Sequence, residues 1–138
     1  MTELKKLVGK QKRVVSISAQ ATVRDAAKAM AEANVGAAAI MDGAKLVGLF
    51  TERDVLKRVL LRNLDVDEVR VEDVMTRELI CAEIGQLASD ARFLMQRHHI
   101  RHLPVLDPVG NLVGVLSIRD LIRDEVQEMR DYITLHEG

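Results

Sequence analysis

The residues best equipped for chemistry form one motif that occurs twice. Its pattern is glycine, two apolar residues, a hydroxyl residue, any residue, arginine, aspartate, read as Gly48…Thr51, Arg53, Asp54 and as Gly114…Ser117, Arg119, Asp120. A hydroxyl followed three positions later by an acid opens a helix, and a helix start presents unpaired N–H groups to anions. The hydroxyl there can donate to a phosphate or ribose oxygen. The first-turn carboxylate, turned sideways, can accept two hydrogen bonds from a vicinal diol such as the ribose 2′- and 3′-hydroxyls. The neighbouring arginine adds positive charge for phosphate. The competing reading is a plain capping box, in which the acid bonds back to its own main chain and favours the helix dipole. Three features weigh toward a ligand. The motif is duplicated in register, it follows a strand each time, and aspartate is expected to be too short to reach back easily.

Other candidates carry less. His98 and His102 could share a helix face, but the helix is expected to end near His98, and no glutamate follows as in zinc hydrolases. Cys81, the one cysteine, cannot form an internal disulfide, which points to a reducing compartment; it is expected to be buried and structural, in a strand. Neither a Gly-x-Gly-x-x-Gly nor a Walker lysine motif is present, and no nucleophile–base pair can be assembled. The expectation is therefore a binding protein and not an enzyme.

The motif is the end of a longer repeat. Val47–Leu56 matches Val113–Ile122 at an offset of 66, and Asp25–Met30 matches Asp90–Met95 at 65. Ala38–Asp42 likewise matches Leu103–Asp107 at 65, the extra residue falling in the turns Asp42–Lys45 and Asp107–Asn111. Each copy reads as strand, helix, strand, strand, helix, so the fold class is α/β (α+β). In the first copy the expected elements are Val14–Ile17, a helix from Thr22 to Ala33, Gly36–Met41, Lys45–Phe50 across an Asp-Gly turn, and a helix from Thr51 to Leu61. In the second they are Leu79–Ala82, Leu87–His98, His102–Leu106, Leu112–Leu116, and a helix from Ile118 toward Leu135. Arg62–Val71 reads as a polar linker and Val71–Met75 as a helical turn. Two copies of about 60 residues are small for independent stability, so one shared core is expected. The domain boundaries expected are 13–62, a linker 63–72, 73–126, and a helical extension 127–138. Leu121, Ile122, Val126, Met129, Ile133 and Leu135 fall near helical spacing. Two readings stay open for that overhang: packing on its own core, or contact with a second subunit together with Leu4–Val8.

Composition narrows the function classes. Of the 138 residues, 48% are apolar and 2% aromatic, so the core is aliphatic and there is almost nothing for nucleic-acid bases to stack on. The net charge is −1, split as +3 over residues 1–69 and −4 over 70–138, so no basic field holds a polyanion. The first residues show no apolar signal segment, and the longest apolar stretch, Val35–Met41, is far short of a membrane span. A cytoplasmic protein without nucleic-acid or membrane partners is expected.

The duplicated unit, with Gly-Leu-Phe-Thr-Glu-Arg-Asp, Gly-Val-Leu-Ser-Ile-Arg-Asp, Asp73-Val-Met-Thr76 and His102-Leu-Pro-Val-Leu-Asp107, resembles a pair of cystathionine β-synthase (CBS) domains, a Bateman module. The resemblance covers about residues 13–126, and it rests on the order and duplication of these pieces. It implies two pseudo-twofold repeats packed sheet to sheet, with two clefts for adenosyl ligands such as AMP, ADP, ATP, NAD(H) or S-adenosylmethionine. It also implies a homodimer that senses energy or redox state and signals to an effector protein, with no metal required. The alternative is a structural dimerisation module with vestigial clefts.

Carried over, the resemblance gives the first cleft Thr51 and Asp54 for phosphate and ribose. Leu79, Ile80, Ile100 and Pro104 sandwich the adenine there, and Arg101, His102 and Arg119 reach phosphate. The second cleft uses Ser117 and Asp120, with Val14, Val15, Val35 and Ala39 around the base. Gly36 and Ala37 stand where the first cleft has Arg101 and His102, leaving only Arg53 for phosphate. The expectation is that the Asp54 cleft takes a phosphorylated nucleotide such as AMP, and that the Asp120 cleft binds more weakly or takes a less charged or larger adenosyl ligand.

Overall fold

A computed structural model describes residues 1–11 and 14–137, with the side chain of Glu137 outside that set. Arg13, where the first repeat was expected to begin, lies outside the described residues. In chain order the elements are α1 (Leu4–Gly9), β1 (Ser16–Ser18), α2 (Val23–Ala33), β2 (Ala37–Asp42), β3 (Lys45–Thr51) and α3 (Glu52–Asp54), which continues as a π-helix over Val55–Leu60. A 3-10 turn (Val71–Asp73), β4 (Ala82–Glu83), α4 (Ala88–His98), β5 (His102–Leu106), β6 (Leu112–Ser117) and α5 (Ile118–Glu137) follow. Among the described residues no helix is long and apolar enough to cross a membrane.

The chain divides into two compact units: Lys12–Leu79, and Met1–Gln11 together with Ile80–Gly138. In the first, β1 pairs parallel with β2, and β2 antiparallel with β3. Gly43 makes the hairpin turn at φ +60°, in the region that favours glycine. Thr22 caps α2, its hydroxyl accepting from the Asp25 N–H at 3.2 Å. Val23, Ala26 and Met30 then face inward at helical spacing. The helix stops at Asn34, in the left-handed region at φ 54°.

The second unit repeats this plan. β4 pairs parallel with β5, and β5 antiparallel with β6. Ala88, Ala91 and Met95 form the buried stripe of α4, and His99 ends it at φ 53°. Asp107 organises the hairpin turn, its carboxylate accepting from the Val109 and Asn111 N–H groups, and these bonds hold its carboxyl below the usual range.

The expectation of one shared core is corrected. Each unit has its own cluster of buried side chains, and each completes it with residues from outside the repeat proper. The first surrounds Phe50, Ile40 and Met30 with Val71, Val74 and Met75. Leu64, Val66 and Val69 pack on the same cluster, so the stretch read as a linker is part of its wall. The second cluster, around Leu103, Val105, Leu116 and Leu121, takes in Leu4 and Leu7 of α1. Leu4 is fully buried, its N–H bonded to the Gln86 carbonyl, so this segment is interior rather than a subunit contact. The stabilisation gained by these borrowed side chains is what lets each repeat hold a core.

Three local expectations shift. The strand read at Val14–Ile17 pairs over Ser16–Ser18, and the one at Leu79–Ala82 over Ala82–Glu83, because ladder length is set by the neighbours β2 and β5. The helix expected from Thr51 to Leu61 widens into i→i−5 bonding, the Leu61 N–H reaching the Leu56 carbonyl. Cys81 precedes β4 and is half-buried; burial pushes its thiol pKa up.

Candidate functional site

Both motif aspartates sit at the third position after their hydroxyl residue, and both reach back. Asp54 Oδ2 accepts from the Thr51 N–H at 3.0 Å and from the Thr51 hydroxyl at 3.2 Å, while the Asp54 N–H donates to Thr51 Oγ1 at 3.3 Å. In the second unit Asp120 Oδ2 accepts from the Ser117 N–H at 2.8 Å and from its hydroxyl at 3.1 Å; the Asp120 N–H donates to Ser117 Oγ at 3.3 Å. The expectation that aspartate is too short is therefore corrected. The residue before each helix is extended, which swings its N–H toward the first turn and shortens the span to be closed.

Capping uses one carboxylate oxygen, and the two sites differ in the other. The Thr76 hydroxyl lies 3.1 Å from Asp54 Oδ1 and 3.2 Å from Oδ2, and Arg58 Nε stands 3.5 Å from Oδ1. Asp54 is only 5% exposed. Asp120 is half-buried, and among the described residues its Oδ1 accepts no hydrogen bond. Among the described residues Asp120 thus keeps one oxygen for a further donor, whereas Thr76 engages both oxygens of Asp54.

The glycine of each motif admits a neighbouring segment. A Cβ at Gly48 would overlap the Met75 side chain and come 3.0 Å from the Thr76 carbonyl oxygen. One at Gly114 would lie 2.8 Å from Gln11 Oε1 and 2.9 Å from Val8. The two crossings are held differently. Thr76 and Leu49 exchange backbone bonds of 2.8 and 3.0 Å. In the second unit the Gln11 side-chain amide donates to the Val115 carbonyl at 2.5 Å.

Each unit gathers part of the expected residue set. In the first, the Glu52 N–H bonds the Gly36 carbonyl and Ala37 pairs with Thr51, placing Val35, Gly36 and Ala37 beside the Thr51 cap. Val15 accepts the Ala39 N–H and is buried, Val14 and Leu79 are half-buried, and Arg53 is exposed. In the second, the Ile118 N–H bonds the Arg101 carbonyl and His102 pairs with Ser117. Arg101 and Arg119 are exposed, Ile80 and Ile100 pack against the core, and Pro104 is buried in β5. The matching bonds to Gly36 and Arg101 make these two residues structural counterparts.

Sequence reasoning assigned no role to Thr76, Arg58 or Gln11. Arg58 also donates to the Met75 carbonyl at 3.0 Å. Arg58, Asp73, Met75, Thr76, Arg77 and Glu78 line an open concavity of about 470 Å³ whose two arginines and two acids balance. Thr76 lies 22 residues from Asp54, and no spacing rule links them. Its presence in the quoted Asp73-Val-Met-Thr76 segment was the available signal.

A family model described as the CBS domain matches residues 6–61 and again 71–126. The chain is 35% identical over 109 residues to the CBS domain-containing protein YhcV of Bacillus subtilis, covering 79% of this chain and 76% of that one. It spans between 21% and 66% of other curated relatives that it matches. Among solved structures, a CBS domain protein from Pyrobaculum aerophilum complexed with AMP is similar with a TM-score of 0.78 and 32% identity, over 86% of this chain and 88% of that one. A CBS domain pair, that of protein MJ0100, in complex with 5′-methylthioadenosine and S-adenosyl-L-methionine, is similar with a TM-score of 0.82 and 26% identity, over 93% and 98%. The repeat, its paired capped aspartates and these matches agree: the chain belongs to the CBS domain family and carries the domain twice.

Proposed function

We propose that this chain is a regulatory module that binds an adenosyl ligand, AMP foremost, with ADP, ATP and NAD(H) as alternatives, and that it acts by passing its occupancy to a partner protein rather than by catalysis. The observation that carries this reading is the Asp120 carboxylate. Capping holds it in place with one oxygen, and among the described residues no hydrogen bond is made to the other, which would serve as a fixed acceptor for a sugar hydroxyl. Arg101, His102, Arg119 and Arg53 supply groups for phosphate. Leu79, Ile80, Ile100 and Pro104, and on the other copy Val14, Val15 and Val35, supply apolar surface for the base. The relatives solved with AMP and with methylated adenosyl ligands support the ligand class.

Charge favours Asp54 before Asp120; from the carboxylates we infer the opposite order. Asp120 takes the ligand first, and Asp54 follows only when Thr76 gives way. Titration calorimetry with AMP tests this. Wild type should bind, and Asp120→Ala should lose the tighter phase. In thermal unfolding, ligand at a hundred times its dissociation constant should stabilise by about 2.7 kcal/mol. No heat and no stabilisation with any of AMP, ADP, ATP, NAD or S-adenosylmethionine would sink the reading.

One observation favours a second reading, a structural interaction module without a ligand. Both carboxylates already complete reciprocal caps, which is all that a helix start asks of them. Under that reading Asp54→Ala and Asp120→Ala change stability alone.

A further inference from the structure

We propose that Arg58 is a positioning residue for Asp54: it clasps the helix start to the Val71–Thr76 segment, so that the acceptor opens to a ligand only when that segment moves. The inference rests on the reading of Asp54 as a ligand group. One guanidinium makes both ends of the clasp. Its Nε stands 3.5 Å from Asp54 Oδ1, and its Nη1 donates to the Met75 carbonyl at 3.0 Å. Arg58 lies one turn beyond Asp54, in the stretch where the helix widens to i→i−5 bonding. Asp54 is buried, so this contact is screened less than a fully exposed ion pair. The far end of the clasp is anchored. Val71, Val74 and Met75 are buried, and Thr76 exchanges two backbone bonds with Leu49. From that fixed place the Thr76 hydroxyl meets both Asp54 oxygens. Thr76 occupies the carboxylate, and Arg58 keeps the segment where Thr76 can do so.

The second copy is the internal comparison. At the offset of 66 that pairs Asp54 with Asp120, Arg58 pairs with Asp124. An acid brings no positive charge to Asp120, and among the described residues Asp120 Oδ1 accepts no hydrogen bond. Where the arginine is present, both carboxylate oxygens are engaged; where an acid replaces it, one is left over. Coupling of this kind is reciprocal. Whatever holds Val71–Thr76 in place keeps a diol from Asp54, and a diol at Asp54 loosens Val71–Thr76. The segment that leads into the second copy thereby carries the occupancy of the first copy's acceptor.

The test compares wild type, Arg58→Ala and Arg58→Lys in the full chain, by amide hydrogen exchange and by calorimetry with AMP. Without ligand, the Thr76 amide should exchange about threefold to tenfold faster in Arg58→Ala, with the α2 amides of the same unit unchanged. AMP binding at the Asp54 half should tighten by about twofold to tenfold, and the Asp120 phase should stay as it is. Arg58→Lys, which keeps one charge beside Asp54, should fall between. A residue that only supported the fold would lower stability without tightening AMP binding. In wild type, saturating AMP should itself speed exchange at Thr76, and this response should shrink in Arg58→Ala. Unchanged Thr76 exchange in ligand-free Arg58→Ala would overturn the proposal whether or not AMP binds. So would weaker AMP binding in that variant, which would make Arg58 a ligand contact. If AMP fails to bind wild type while Thr76 still exchanges faster in Arg58→Ala, the ligand reading falls and the clasp on the segment is upheld.

Discussion

The Thr76 hydroxyl donates to the Asp54 carboxylate from a segment 22 residues away, and so holds the acceptor that a ribose diol would need. Its counterpart crossing in the second unit ends in Gln11, which bonds the Val115 carbonyl and leaves Asp120 untouched. Two copies of one motif therefore stand in different states.

Thr76→Val removes that hydroxyl while keeping the backbone bonds to Leu49. The fold should persist, and AMP binding at the Asp54 half should tighten by about twofold to tenfold, the worth of one hydrogen bond. Calorimetry would show it as a strengthened second phase. A weaker second phase would mean that Thr76 helps to hold the ligand.

Asp54→Ala should cost about 1–3 kcal/mol of stability, because it strips a cap and leaves the Thr76 hydroxyl and Thr51 N–H without their acceptor. Asp120→Ala should cost about 1 kcal/mol, since only its cap is lost. Urea unfolding of both variants, without ligand, checks the order.

Gly48→Ala and Gly114→Ala should each destabilise by about 1–3 kcal/mol through overpacking, but in different places. The Gly48 variant presses on Met75 and Thr76, the Gly114 variant on Val8 and Gln11. Hydrogen exchange should speed at the Thr76 amide in the first and in α1 in the second.

Arg24 and Asp67 pair on the surface of the first unit, and the guanidinium that hydrogen-bonds Asp67 holds its carboxyl below the usual range. A depressed folded pKa adds stability above the unfolded value of about 4, and that stability is lost as pH falls through the folded value. The stability difference between wild type and Asp67→Asn should be present at neutral pH and vanish in acid. It should be small, because the pair is exposed.

Much of the fold was legible because its signals are local. Thr22 and Asp25 mark a helix start, Asp42 and Gly43 mark a hairpin, and the 65- and 66-residue offsets pair Asn34 with His99 and Thr51 with Ser117. What escaped depends on distant chain. No local pattern says that Leu4 fills the core around Leu103, or that Thr76 reaches Asp54. The ends of β1 and β4 depend on the strands they pair with. The reach of aspartate was misjudged because the extended residue before the helix, and not the side-chain length alone, decides whether the cap closes.

The segments that finish the two cores come from the opposite ends of the repeat pattern. Leu4 and Leu7 precede the first repeat yet complete the second, while Val71, Val74 and Met75 lead into the second yet complete the first. Neither half can be excised at the midpoint and keep its full interior. Gene fragments that divide this chain after Leu61 would each be born with a gap, which a complementary fragment added in trans should fill.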